Sequence, residues 1–231
     1  MAQSKKGRDL ANWRPTSGKG STSTNLRIVG GRFRGRQIAY SGDQRTRPMR
    51  DSVREALFNL VGGWVPGKAV FDLFAGTGAV GIEALSRGAS RVFLNERHFP
   101  TARIIRDNLK SLEEELPAEV STSDTFFWCR QFFKDPSQWP TEPWMVFCCP
   151  PYALFHSRTD DLMSMLQEFI EHAPEGSVIV AETDTEFDLE QLPRSGEWRM
   201  REYAPAQICV WRPNAYDTVQ PGTDETANED L

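Results

Sequence analysis

The chain has 231 residues, 39% of them hydrophobic and 26% charged, with a formal net charge of −5. That length fits one domain of about 100 to 200 residues with appendages, and no stretch approaches the roughly 18 consecutive apolar residues of a spanning helix or the apolar core of a secretory leader. Residues 1–62 hold 13 Lys and Arg against 4 Asp and Glu, a net +9 that leaves −14 for the rest.

A basic N-terminal part on an acidic body points to a polyanionic partner. The four cysteines, Cys129, Cys148, Cys149 and Cys209, show no C-x-x-C spacing, so neither a metal site nor a disulfide framework is expected. A cytoplasmic protein without membrane contact is predicted.

In chain order, residues 1–24 are rich in Lys, Ser, Thr and Gly and read as a flexible basic tail. Residues 25–62 form a small basic unit. Within it, "LRIVGGRFRGRQIAY" predicts a hairpin broken by Gly30, Gly31 and Gly35. "RPMRDSVREALFNLVGG" predicts a helix with Val53, Ala56, Leu57 and Leu60 on one face, begun by Asp51 or Ser52 and ended by Gly62 and Gly63.

From residue 69 strands and helices alternate. Strands are expected at "AVFDLF", "RVFLNE", "AEVSTSD", "WMVFCC" and "SVIVAE". Helices are expected over about 79–87 and at "PTARIIRDNLKSL", "FFWCRQFF" and "DDLMSMLQEFIEHA". "WRMREYAPAQICVWRP" reads as a closing antiparallel pair, and 214–231 as an acidic flexible tail. Repeated β-α units of this kind give an α/β fold over residues 63–213, with a mainly parallel sheet covered on both faces.

"DLFAGTGAVGIEAL" places Gly76, Gly78 and Gly81 after a strand and at the mouth of a helix, where backbone N–H groups can face a ligand. Glu96 ends the next strand 20 residues after Gly76, where a carboxylate can accept from both hydroxyls of an adenosine ribose. A nicotinamide oxidoreductase must be weighed against this pattern. Asp72 opposes it, because a carboxylate before the turn repels a pyrophosphate and suits an ammonium group.

The run D-x-F-A-G-T-G resembles motif I of the class I S-adenosylmethionine-dependent methyltransferases. That resemblance implies a Rossmann-like sheet and S-adenosylmethionine as cofactor. Asp72 would lie near the amino-acid end of the cofactor, with Phe74, Ala75, Gly76, Thr77 and Gly78 around it. "STSDTF" resembles the family segment whose acid contacts the adenine amino group, implying Asp124 with Thr125 beside it. A helix N-cap at Asp124 is compatible with that role.

"CCPPY" follows the fourth strand of the alternating series and resembles the [D/N/S]-P-P-[Y/F/W] motif of amino methyltransferases. An exocyclic amine has its lone pair delocalised into the ring, so acceptors must hold its hydrogens while the nitrogen is aimed at the methyl group. The resemblance implies that Pro150 supplies a carbonyl, that Pro151 helps fix the loop and that Tyr152 supplies a stacking face. Cys149 stands at the acceptor position, and sulfur accepts weakly. Three readings stay open: a site relying on the Pro150 carbonyl and other groups, a low-pKa thiolate, or a degenerate site.

"LRIVGGRFRGRQI", "RPMRDSVREALFNLV", "DLFAGTGAVGIEALSRGA" and the proline-proline-aromatic loop occur in this order, and the chain resembles the bacterial 16S rRNA guanine-N2 methyltransferase family over roughly 26–212. Two departures are Cys149 for the usual Asp, and Met49-Arg50 where threonines are common. The resemblance implies methyl transfer to a guanine N2 of small-subunit rRNA, within a ribosomal particle, by a monomer. Arg32, Arg34, Arg36, Arg45, Arg47 and Arg50 are candidate phosphate contacts, with Arg54 a further one or a helix-surface pair. An RNA-binding assembly factor that keeps the fold without the activity is the rival from another class.

Overall fold

A computed structural model describes residues 25–42 and 49–213. Both expected tails, together with Arg45 and Arg47, lie outside those residues. Seven strands form the main sheet: β3 (Ala69–Asp72), β4 (Arg91–Asn95), β5 (Ala118–Ser121), β6 (Trp144–Cys148), β7 (Val178–Asp184), β8 (Trp198–Tyr203) and β9 (Ala206–Trp211). Their order is β5-β4-β3-β6-β7-β9-β8. β3 to β7 pair in parallel, while β9 runs antiparallel to both β7 and β8. The mainly parallel sheet with its closing antiparallel pair is therefore present as predicted.

Among the described residues six α-helices accompany the sheet: α1 (Asp51–Val61), α2 (Ala79–Ser86), α3 (Phe99–Leu112), α4 (Thr125–Phe132), α5 (Ala153–Ser157) and α6 (Thr159–His172). Successive strand side chains point to opposite faces, and both faces are buried. Val70, Leu94, Phe147 and Val180 share one core with α1, α2 and α3. Phe71, Val146, Ile179 and Trp211 share the other with α4, α5 and α6. Near-continuous apolar strands such as "WMVFC" follow from this double coverage.

The N-terminal hairpin shrinks to two residues per strand, β1 (Leu26–Arg27) against β2 (Gln37–Ile38). Its loop satisfies its backbone on α2 instead of in a longer ladder. Val29 N–H donates to Glu83 Oε2 at 2.9 Å, Phe33 N–H to Ser86 Oγ at 2.9 Å and Arg32 N–H to the Ser86 carbonyl at 2.7 Å. Gly31 has φ of +73°, and a β-carbon there would sit 1.9 Å from the Ser86 carbonyl oxygen. Only glycine permits that approach.

Helix α1 starts at Asp51 as expected, but its buried face is Val53, Arg54, Leu57, Phe58 and Val61. Ala56 and Leu60 sit at the margin of that face. Arg54 is the correction of consequence. It is 1% exposed, donates to the Arg27 carbonyl at 2.9 Å and pairs with Asp51 at 3.0 Å, so it braces α1 against the hairpin and offers nothing to a phosphate.

Candidate active site

The chain leaves β3 where the strand order reverses, with β4 on one side and β6 on the other. Open α/β sheets form a ligand crevice at such a switch point, outside the carboxyl ends of the strands. The carboxyl ends of β3, β4, β6 and β7 all carry polar groups here.

Asp72 ends β3 and is 2% exposed. Its Oδ2 accepts from the Gly81 N–H of α2 at 2.9 Å. Burial pushes its carboxyl up to about 7; the Gly81 N–H opposes the rise and the Glu96 charge adds to it. The following turn carries Gly76 and Gly78 at φ of +53° and +75°, a left-handed conformation natural to glycine. A β-carbon on Gly81 would lie 2.7 Å from Leu94 Cδ2, so that glycine sets the close packing of α2 on β4.

Glu96 follows β4 and ties the turn down. Its Oε2 accepts from Gly76 N–H at 3.0 Å and its Oε1 from His98 N–H at 2.7 Å. Phe74 packs edge-on against Phe126 at 6.0 Å, while Ala75, Thr77 and Gly78 are buried in the turn. Asp124 caps α4, accepting from Phe127 N–H at 3.1 Å, and lies 3.8 Å from Arg158. The Thr125 hydroxyl donates to the Leu73 carbonyl at 2.7 Å and accepts from Asn95 Nδ2 at 2.7 Å. The hydroxyl's hydrogen and one of its lone pairs are thus engaged inside the scaffold.

The second half of the crevice follows β6. Pro150 is buried, Pro151 exposed, and Tyr152 half-buried at the start of α5. Tyr152 donates its hydroxyl hydrogen to Glu182 Oε1 at 2.8 Å. Cys148 pairs with Ala181 across the parallel β6 and β7, which brings Cys149 beside Glu182. Burial, then Glu182 and Asp72, push the Cys149 thiol well above its ordinary value. Cys149 is thus a neutral thiol, and the thiolate reading loses its electrostatic basis.

Glu182 was not among the expected site residues. It is 8% exposed, and burial raises its carboxyl, with hydrogen bonds from Tyr152 and Cys149 and the charge of Arg50 opposing. The available signal was a lone carboxylate ending the apolar run "SVIVAE". Arg50, expected at a phosphate, acts electrostatically on both Glu182 and Tyr152. Of the other arginines, Arg34 is exposed, Arg32 pairs with Glu113 at 3.0 Å, and Arg36 donates to the Ser111 carbonyl at 2.6 Å.

The donor set fits the cofactor implied by the sequence resemblance. Asp72, Glu96 and Asp124 surround a turn, residues 72–78, that has no basic side chain. Such a crevice suits a phosphate-free ligand with an ammonium group and ribose hydroxyls, and it disfavours a pyrophosphate.

A family model described as Conserved hypothetical protein 95 matches residues 26–212. Ribosomal RNA small subunit methyltransferase D of Escherichia coli is 30% identical over 190 residues, covering 82% of this chain and 89% of that protein. A solved structure of a hypothetical protein from Thermus thermophilus superposes with a TM-score of 0.64 at 23% identity, covering 81% of this chain and 99% of that one. A SAM Dependent Methyltransferase from Agrobacterium tumefaciens superposes with a TM-score of 0.61 at 16% identity, covering 87% and 74%. The last two establish the fold alone.

Proposed function

The chain belongs to the Conserved hypothetical protein 95 family, and from its site geometry and its relatives we propose an S-adenosylmethionine-dependent rRNA methyltransferase that modifies the exocyclic N2 of one guanine in small-subunit rRNA. The observation that carries the reading is the meeting of an acid-lined glycine turn and a Pro-Pro-Tyr loop at one switch point of the sheet. The similarity to ribosomal RNA small subunit methyltransferase D supports the rRNA substrate.

S-adenosylmethionine supplies an electrophilic methyl group on a sulfonium. The chain's own residues bind and aim. Glu96, already fixed by two backbone N–H groups, keeps lone pairs for ribose hydroxyls. Asp72 meets the ammonium end, and Asp124 takes the adenine amino group while capping α4. Tyr152 stacks on an unpaired or extruded guanine, and the Pro150 carbonyl holds one amine hydrogen. Arg34, Arg32 and Arg36 meet phosphates, the latter two by exchanging their present partners. The protein acts as a monomer on a ribosomal particle.

The test is transfer of a tritiated methyl group to small-subunit particles that lack the modification, followed by nucleoside analysis. Label in N2-methylguanosine supports the reading. RNA binding without label means an assembly factor that keeps the fold, and NADH binding without S-adenosylmethionine binding means a dehydrogenase.

A further inference from the structure

We infer that Glu182, at the carboxyl end of β7, is a catalytic residue: its carboxylate holds the target amine and receives its proton, supplying the acceptor that Cys149 cannot. The inference rests on the methyltransferase reading and names a group inside that site.

The argument begins with an unfilled need. The amine must be held by acceptors as its nitrogen attacks, and the neutral thiol of Cys149 accepts only weakly. Cys149 and Glu182 follow directly after the paired residues Cys148 and Ala181, on adjacent strands, so the two side chains enter the crevice from neighbouring positions. The Tyr152 hydroxyl fixes Glu182 Oε1 at 2.8 Å. A carboxylate offers about four lone-pair sites, so the Tyr152 and Cys149 contacts leave acceptor capacity beside the stacking face of Tyr152.

Burial raises the Glu182 carboxyl, the direction that suits a group receiving a proton, while the Tyr152 and Cys149 hydrogen bonds and the Arg50 charge oppose the rise. The two departures from the pattern the sequence resembles are Cys149 and the Met49-Arg50 pair, and two of those residues, Cys149 and Arg50, act on Glu182. Both now fall around one carboxylate.

In the step itself the N2 lone pair forms a bond to the methyl carbon while the carbon–sulfur bond breaks and its electron pair stays on sulfur. The proton lost from nitrogen passes to the Glu182 carboxylate and then to solvent. No further reactant is required.

Three variants test this. Glu182→Gln keeps an acceptor for the Tyr152 hydroxyl but cannot take a proton, and is expected to lower the methyl-transfer rate about 100-fold. Tyr152→Phe keeps the stacking ring and the carboxylate, and is expected to cost about threefold to fivefold. Adding Cys149→Asp to Glu182→Gln is expected to restore about tenfold or more, because a carboxylate returns to the neighbouring position. Cofactor affinity, followed by calorimetry, is expected to stay within about twofold in Glu182→Gln and Tyr152→Phe; Cys149→Asp adds a charge that Asp72 feels, so the double variant is compared at saturating cofactor.

A Glu182→Gln rate within about threefold of wild type overturns the inference. So does a Tyr152→Phe loss equal to that of Glu182→Gln, which makes Glu182 only a support for the ring, or an equal loss in the Cys149→Asp background. Collapse of cofactor affinity in Glu182→Gln likewise overturns it in favour of a structural role. A wild-type protein that transfers no methyl group removes the methyltransferase reading and the inference with it; an active wild type with an indifferent Glu182→Gln removes the inference alone.

Discussion

At the ends of β3 and β4 and in the loop after β5 the acidic groups are held by the main chain. Asp72 accepts from Gly81 N–H, Glu96 from Gly76 and His98 N–H, and Asp124 from Phe127 N–H. At the ends of β6 and β7 side chains hold one another: Tyr152 bonds Glu182, Cys149 lies against Glu182, and Arg50 acts on both Glu182 and Tyr152. A backbone anchor persists through most substitutions around it, whereas a side-chain anchor changes with its partner. Of the departures from the family-like pattern, Cys149 and the Arg50 of the Met49-Arg50 pair act on this side-chain-held half.

The comparison breaks most severely at Gly81→Val. The new β-carbon meets buried Leu94 at 2.7 Å, and overpacking of this kind costs about 1–3 kcal/mol. Displacing α2 also breaks the Asp72 to Gly81 bond. Thermal unfolding is expected several degrees lower, and calorimetry is expected to show S-adenosylmethionine affinity down by more than about 100-fold. Next comes Glu96→Gln, which keeps one acceptor for Gly76 or His98 but removes the charge offered to the ribose. Hydrogen bonds to charged groups are worth about 1.5–3 kcal/mol, so affinity is expected to fall about 10- to 100-fold, and the N–H left without its acceptor is expected to cost about 1–3 kcal/mol of stability. A Glu96→Gln protein that binds as wild type would detach this acid from the cofactor.

The same contrast explains what the sequence disclosed. Strand runs such as "AVFD" and "WMVFC" and the glycines before α2 act through backbone geometry, which leaves a local signature. The cap at Asp124 was legible for the same reason. Glu182 was not, because its role depends on the pairing of β6 with β7, residues about 30 positions apart. Arg54 was misread because a helical wheel does not show which neighbour accepts a buried guanidinium; here the Arg27 carbonyl does. The hairpin looked longer in sequence because, past the bonds between Ile28 and Arg36 and between Gly35 and Ile28, the backbone N–H groups of Val29, Arg32 and Phe33 find α2.

A smaller effect, confined to the backbone-held half, is a pH dependence set by Asp72. Its carboxyl lies near 7 when folded against 3.8 for the ordinary group. The folded state therefore holds more protons than the unfolded chain between those values, and Asp72 makes stability fall as pH rises through that window, by at most about 1.4 kcal/mol per pH unit. Binding of an ammonium ligand favours the ionised carboxylate, so cofactor affinity moves the opposite way. Relative to Asp72→Asn, which cancels the cofactor's own titration, affinity is expected to rise roughly tenfold between about pH 6 and pH 8. A flat ratio would mean that the ammonium sits elsewhere.

The smallest effect expected is at Cys149→Ser, and it separates the halves most sharply. Burial and two nearby carboxylates keep the thiol protonated, so no thiolate is available to be lost. Serine substitutes a slightly smaller neutral group that is a somewhat better acceptor. Single-turnover methyl transfer is expected to change by no more than about threefold, since a neutral hydrogen bond contributes only about 0.5–1.5 kcal/mol. A working thiolate would instead lose its charge on substitution, and the rate would fall by about two orders of magnitude or more. A modest change at Cys149 with a large one at Glu182 places the acceptor on β7, one strand away from the loop whose sequence suggested it.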